Sequence, residues 1–339
     1  MKLKSPLLLV AGAILLLAQT ASAQNTKYYR GSVGSNHIQM ALTFTGNAVT
    51  GKYSYDRVGE EINVKGQLDA DGKLELVEFG PNNKPTGKFS CKRGFNNPDD
   101  RECSWSKPTG GSESPVTLNE QNFAFTGGLK IVPKLITNRA RGIVISYPQL
   151  ESAGTLSPAA QKFNRRALSL AQKTTADYSP IDGKGVLDAN YTVLLGTNDL
   201  VSFELLAYED GGGAHPNDIW SALTYDLAGD KEVKFEELFK PGSDYKTAIA
   251  KYLTADINRR AVEIEKEDAR KENRQPEKRD ELVTTDQLTE ISNFALTPDS
   301  VVVYFDFAHV IAYFDRNLVP YKVVKEHLQP NGPAARIAK

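Results

Sequence analysis

From Lys27 to about Phe125, apolar and polar residues alternate with period two. The segments HIQMALTF, VTGKYSYD, EINVKGQL, KLELVEF and TGKFSC each run four to eight residues, and the turn formers TGN, RVG, DADG and GPNNKPTG separate them. Regular short strands joined by tight turns predict an antiparallel meander that closes into a barrel or a sandwich. Lys52, Lys65, Lys73 and Glu75 fall on its solvated face. Trp105 is expected to plug one end of the core, because a tryptophan is usually far more valuable buried than exposed.

The alternation breaks at GGLKIVP, residues 127–133, which reads as a domain junction. RGIVISYPQL follows as a strand stopped by Pro148. Ser157-Pro158 then opens a helix: the serine caps it, the proline takes the first turn, and Phe163, Ala167, Leu170 and Ala171 recur at helical spacing. ANYTVLLGT, LVSFELLAY and DIWSALTYDL read as strands. After KFEELF, a long helix carries a buried stripe of Tyr245, Ile249, Tyr252, Leu253, Ile257, Ala261 and Ile264. Past Ile264 the stripe ends, and the charged run Glu263–Glu281 is expected to be a solvated extension or a loop. TTDQLTEISNFAL, VVVYFDF and VPYKVVKEHL restore order at the end of the chain. The predicted architecture is α+β: a β-rich domain over 24–126, then an α+β domain over 130–330 whose antiparallel sheet packs on the long helix. A loose tail is expected over 331–339.

The first residues, MKLKSPLLLVAGAILLLAQTASAQ, combine two lysines, a short apolar run and a small-x-small site at Ala21–Ala23. This is the pattern of a cleaved secretory signal over 1–23, and it predicts a periplasmic or secreted protein. Losing Lys2 and Lys4 moves the formal net charge from -1 to -3. That balance gives no reason to expect nucleic acid or an anionic membrane as partner. Cys91 and Cys103, the only cysteines, are expected to form a disulfide in an oxidising compartment. No histidine lies near them, so a metal site there is rejected.

The stretch YEDGGGAHPN, Tyr208–Asn217, carries the candidate chemistry. A phosphate loop needs its glycines between a strand and a helix, so that backbone N–H groups converge on the anion. Here two strands flank the loop, and neither a P-loop lysine nor a complete GxGxxG is present. The glycines are expected to serve a hairpin turn, through positive φ or close backbone approach. His215 is expected to be structural and hydrogen-bonded across the loop. The catalytic alternative makes His215 a base oriented by Asp210 or Glu209, yet the nucleophile and orienting roles are not filled.

The succession GGGAHPN, a strand ending TYDL, KEVKFEELFKPG and FALTPDSVVVYFDF resembles the C-terminal domain of RsiV-type anti-sigma factors, which also occurs in PdaC-type peptidoglycan deacetylases. Gly212, Gly213, His215, Pro216 and Asn217 carry the likeness, with Tyr225–Leu227, Leu238, Phe239, Pro298, Asp299, Tyr304 and Phe305. ISYPQL with SPAAQKFNRRAL, bearing Pro148 and Asn164, is similar to the module that precedes this domain. The resemblance spans about 200 residues, from near Lys130 to Leu328. It implies an extracytoplasmic α+β domain, lysozyme binding in one branch, and catalysis residing elsewhere in the deacetylases. The sequence departs from the pattern at DFAHVIAYFDRN and in the long charged insertion.

These readings together predict a non-catalytic cell-envelope binding protein without cofactor or metal, with a lysozyme-like protein or peptidoglycan as partner. Asp210, Gly212, Gly213, His215 and Asn217 are the candidate binding residues. The alternative is an envelope polysaccharide hydrolase or deacetylase-related enzyme that uses the histidine loop.

Overall fold

The structure, a computed structural model, describes residues 25–92, 95, 101–183, 185–278 and 280–338. The signal-like segment and most of the turn between the two cysteines lie outside the described residues. Eight antiparallel strands form the first part: β1 (Asn25–Val33), β2 (Asn36–Thr45), β3 (Ala48–Tyr55), β4 (Ile62–Leu68), β5 (Leu74–Phe79), β6 (Pro85–Cys91), β7 (Cys103–Ser106) and β8 (Ser114–Gln121). They are hydrogen-bonded in sequence order, and β8 returns to β1, so the sheet is a closed barrel without free edges. Alternation places Tyr29, Ile38, Leu42, Val49, Val64 and Leu76 inside. Cys91 and Cys103 are paired on adjacent strands and joined by a disulfide, as the sequence predicts.

One end of the barrel core is polar. Glu78 is buried and accepts hydrogen bonds from Tyr53 Oη at 2.6 Å, Thr86 Oγ1 at 2.6 Å and Trp105 Nε1 at 2.9 Å. Trp105 is partly buried against the barrel core. Gly87 makes room for this cluster, since a Cβ there would lie 2.4 Å from Trp105 Nε1.

The rest of the chain stacks in layers. A six-stranded sheet runs β14-β13-β12-β11-β10-β9, from β14 (Lys231–Glu232), β13 (Asn217–Asp226), β12 (Leu200–Asp210), β11 (Val186–Gly196), β10 (Ile143–Glu151) and β9 (Lys130–Asn138). Every pairing is antiparallel except β10 with β11. Helix α1 (Pro158–Asp177) makes the crossover and covers one face through Phe163, Ala167 and Ala171. The Ser157 hydroxyl accepts from Ala160 N, as a helix cap does. Asn164 bonds both N and O of Leu150, at 2.7 and 2.9 Å, fastening the helix to β10.

A three-stranded sheet of β15 (Asn293–Leu296), β16 (Ser300–Tyr304) and β17 (Arg316–Pro320) packs on the opposite face. The long helix α2 (Tyr245–Lys271) lies on this smaller sheet, burying Ile249, Leu253 and Ile257. A four-residue helix, α3 (Tyr321–Val324), follows β17.

Three local expectations are revised. Pro148 does not stop its strand; β10 runs on to Glu151 with Pro148 opposite Pro133 of the edge strand β9. Two prolines facing one another form a non-hydrogen-bonded pair, where neither needs the missing N–H. The charged segment is not merely solvated. The stripe of α2 continues through Glu265 and Ala269, which are 3% and 1% exposed. Glu265 is clasped by Arg274 at 2.5 Å and by Glu277 N at 2.9 Å, folding the chain back on the helix end. The C-terminal segment is also docked: Ala334 is buried, and Arg336 pairs with Asp226 at 2.7 Å.

A buried polar seam joins barrel to sheet. Arg30 of β1 is fully buried and makes a forked pair with Asp56 at 2.8 and 2.7 Å. It also donates to Ser146 Oγ of β10 and Asn190 Oδ1 of β11, and its guanidinium lies 4.3 Å from the Tyr191 ring centre. His37 meets Asp188 at 2.7 Å beside it. Burial pushes the Asp56 carboxyl up, but the hydrogen bonds and charge of Arg30 reverse this and hold it below the usual range. Burial pushes the Tyr191 hydroxyl up to about 12.

Candidate functional site

The β12–β13 hairpin places the glycine loop at one end of the large sheet. Asp210 ends β12, and its carboxylate accepts from Gly212 N at 3.0 Å, a local turn contact. Of the three glycines only Gly212 has a positive φ, +81°, so it alone needs glycine for that reason. Gly213 faces open space. The loop is thus a hairpin connector, with neither a helix N-terminus nor converging amides.

His215 departs from the cross-loop hydrogen bond predicted for it. Its side-chain hydrogen bond is to the carbonyl of the next residue, Pro216, at 3.2 Å, and the side chain is exposed. The ring stacks on His309 with centroids 3.6 Å apart and planes 13° from parallel. His309 begins a 3-10 helix, His309–Phe314, nearly a hundred residues later. Neither Glu209 nor Asp210 hydrogen-bonds His215, so the catalytic arrangement considered from sequence is not assembled. Among the described residues no group of three or more His, Cys, Asp or Glu is placed to hold a metal ion.

The paired imidazoles stand beside an open cleft of about 570 Å³ between β13, β16 and the loop that follows β16. Its carboxylates are Asp218, Glu290, Asp306 and Asp315; among the described residues no lysine or arginine lines it. Asn217 lines the same cleft, and aromatic surface comes from Trp220, Tyr304, Phe305 and Phe307. Asp218, Asp306 and Asp315 form no ion pair with a described residue, whereas Glu290 reaches Lys246 at 3.6 Å.

Crowding shows in the electrostatics. Desolvation pushes the Asp218 carboxyl above its ordinary range. Asp315 is raised too, first by burial and then by the charges of Asp306 and Asp218, against a lowering hydrogen bond from Phe307 N at 2.8 Å.

The wall beneath is rigid. Glu204 of β12 is buried, and it accepts from Tyr304 and, at 2.8 Å, from Arg316 Nε. Trp220 stacks on Tyr304 with centroids 5.6 Å apart. The lip is apolar: Val310 and Tyr313, on the turn that carries His309, are 88% and 76% exposed.

Of the sequence-derived candidates, His215 and Asn217 reach this site, while Asp210, Gly212 and Gly213 only shape the turn behind it. Asp218, Asp306, His309 and Asp315 were not singled out as site residues. The departure of DFAHVIAYFDRN from the family pattern was their one local signal, for it supplies Asp306, His309 and Asp315 together.

Residues 236–315 match the family described as "Protein of unknown function (DUF3298)". The C-terminal half therefore carries a DUF3298 domain, which holds the His309 side of the cleft but not the glycine loop. Two solved structures are similar to the chain. One is a DUF3298 family protein from Pseudomonas aeruginosa PAO1, at 20% identity over 60% of this chain and 94% of that chain, with a TM-score of 0.35. The other is a member of the DUF3298 family from Bacteroides fragilis NCTC 9343, at 14% identity over 62% and 96%, with a TM-score of 0.34. A search of curated proteins finds no match.

Proposed function

We propose that this is an exported binding protein of the cell envelope whose acidic, aromatic-walled cleft captures a basic protein of the lysozyme kind. The observation that carries the reading is the cleft's charge: four carboxylates line it, only Glu290 of them ion-paired among the described residues, and no described lysine or arginine lines it. Anionic groups held close together repel one another, and an ammonium or guanidinium inserted between them relieves that repulsion. The aromatic wall already holds one cation, the Arg316 guanidinium 5.8 Å from the Trp220 ring centre, so the carboxylates carry the attraction and the rings shape the cleft. Val310 and Tyr313 add exposed apolar surface at the rim, where a protein partner gains from burying it. Export is supported by the disulfide and by the signal-like first residues. Among the described residues no helix is long and apolar enough to cross a membrane.

Calorimetric titration of the protein with a c-type lysozyme at low salt tests the reading. Saturable binding is expected, and the double change Asp218→Asn and Asp306→Asn should weaken it about tenfold, at roughly 0.5–1 kcal/mol per rim charge. Affinity should also fall as pH drops toward the carboxylate range. Asp218 and Asp315 hold protons at higher pH than ordinary carboxylates, which titrate near about 4, and a protonated carboxyl attracts no cation. Absence of saturable binding, or equal affinity for wild type and double variant, overturns the assignment.

A further inference from the structure

A second concavity lies far from the histidine pair, on the outer face of the barrel. Cross-strand register builds its floor in two rows. One row runs Tyr28, Ala41, Lys52, Asn63 across β1 to β4, and the next runs Thr43, Thr50, Lys65. At about 4.8 Å between strands, the first row spans roughly 14 Å. Short side chains in the middle, Ala41, Thr43 and Thr50, leave a trough of about 860 Å³. That volume falls within the range of roughly 300–1,000 Å³ usual for ligand sites.

The segment linking barrel to sheet supplies one wall. Phe123 lies 4.6 Å from Tyr28 between ring centres and 5.7 Å from Phe125, so the three rings form one stack in which Tyr28, the most exposed, is backed by the two phenylalanines. Phe123 and Phe125 are seated on Gly196, where a Cβ would lie 2.6 Å from Phe123 Cβ, and this seat fixes their orientation. Across the floor stand Asn63 and Thr50, exposed and with no side-chain hydrogen bond to a described residue. Lys65 forms no ion pair with a described residue; its ammonium lies 5.8 Å from the centre of the Phe79 ring.

We infer that this trough is a binding site for an acidic oligosaccharide. The exposed Tyr28 ring, held in place by the stack behind it, suits the C–H face of a pyranose ring. Unpartnered threonine and asparagine side chains offer both donors and acceptors to hydroxyl groups. Lys65, and Lys52 by exchange from its exposed pair with Glu61, present ammonium groups to a sugar carboxylate. The barrel is closed, but β9, whose Lys130, Ile131 and Val132 also line the trough, is the edge strand of the large sheet, so poly-glutamate is the control that separates an acidic peptide from an acidic sugar. The site is independent of the acidic cleft and requires no cationic partner.

Titration of the purified protein with a hexamer of 1,4-linked uronic acid tests this. Saturable binding is expected, weakened about tenfold by Tyr28→Ala and about fivefold by Lys65→Ala, with the melting temperature unchanged. Lys65→Ala alters only an exposed side chain, so it keeps the test valid if Tyr28→Ala proves unstable. Cellohexaose, uncharged but similarly linked, should bind at least tenfold more weakly. Three results each overturn the inference: no binding of the hexauronate, equal binding of poly-glutamate, or variants indistinguishable from wild type.

Discussion

Replacing Arg30 with methionine removes the guanidinium that compensates a buried carboxylate at the seam between barrel and sheet. Arg30 and Asp56 have side chains 0% and 1% exposed, and the pair is forked, with both contacts under 3 Å. Taking away one partner of such a pair strands the other in a low-dielectric site, at a cost of about 3–5 kcal/mol. Ser146 and Asn190 lose a donor at the same time, and Tyr191 loses the cation over its ring. For a chain of this size a loss of that order lowers the melting temperature by roughly 6–20 °C, at about 2–4 °C per kcal/mol. The double variant Arg30→Met with Asp56→Leu should recover most of the loss, since it leaves no unpaired charge. Urea unfolding of wild type, both single variants and the double variant provides the cycle. A sign follows for pH. Asp56 has a folded-state pKa below its unfolded value of about 3.9, so its stabilisation is present above that pH and is lost as pH falls through the depressed value. The difference between wild type and Arg30→Met should accordingly shrink in acid. A loss under about 1 kcal/mol for Arg30→Met, or a double variant less stable than either single one, would refute the reasoning.

Two further outcomes concern the elements that support the sites. Replacing Cys91 and Cys103 with serine opens a short loop between adjacent strands, and denaturant unfolding should show a loss of about 3 kcal/mol with barrel circular dichroism retained at room temperature. Asn164→Ala leaves Leu150 N and O without their side-chain partners, and the same measurement should register a loss of about 1–3 kcal/mol.

The barrel was legible because its information is local. Period-two alternation tells each residue which face it occupies, and short turns tell each strand its neighbour. The cap of α1 and the stripe of α2 were readable for the same reason, as was the cysteine pair. The layered stacking beyond the barrel was less so. Nothing in the periodicity of α2 says that it rests on β15–β17 while α1 takes the large sheet. The site failed to announce itself because its members are far apart: Asp218 lies on β13, whereas Asp306, His309 and Asp315 follow β16. Arg30 is the extreme case. An arginine in an alternating strand reads as solvent-facing, and its burial rests on partners 26, 116 and 160 residues away, at Asp56, Ser146 and Asn190.

That buried seam bears on function through geometry. The polar groups that hold barrel to sheet leave three atoms without partners: Arg30 Nε, His37 Nδ1 and Tyr191 Oη. Each unpaired polar atom costs stability, so a seam built only for strength would favour apolar contacts. A directional network has a different merit, since hydrogen bonds are satisfied in one relative orientation and sliding breaks several at once. The oligosaccharide trough needs that orientation, because its floor belongs to the barrel and its aromatic wall to the segment seated on Gly196 of β11. If the seam serves this purpose, Arg30→Met should weaken hexauronate binding under conditions where the variant is still fully folded, while lysozyme binding at the distant acidic cleft stays unchanged. Equal weakening at both sites would mean that the variant merely loosens the whole molecule.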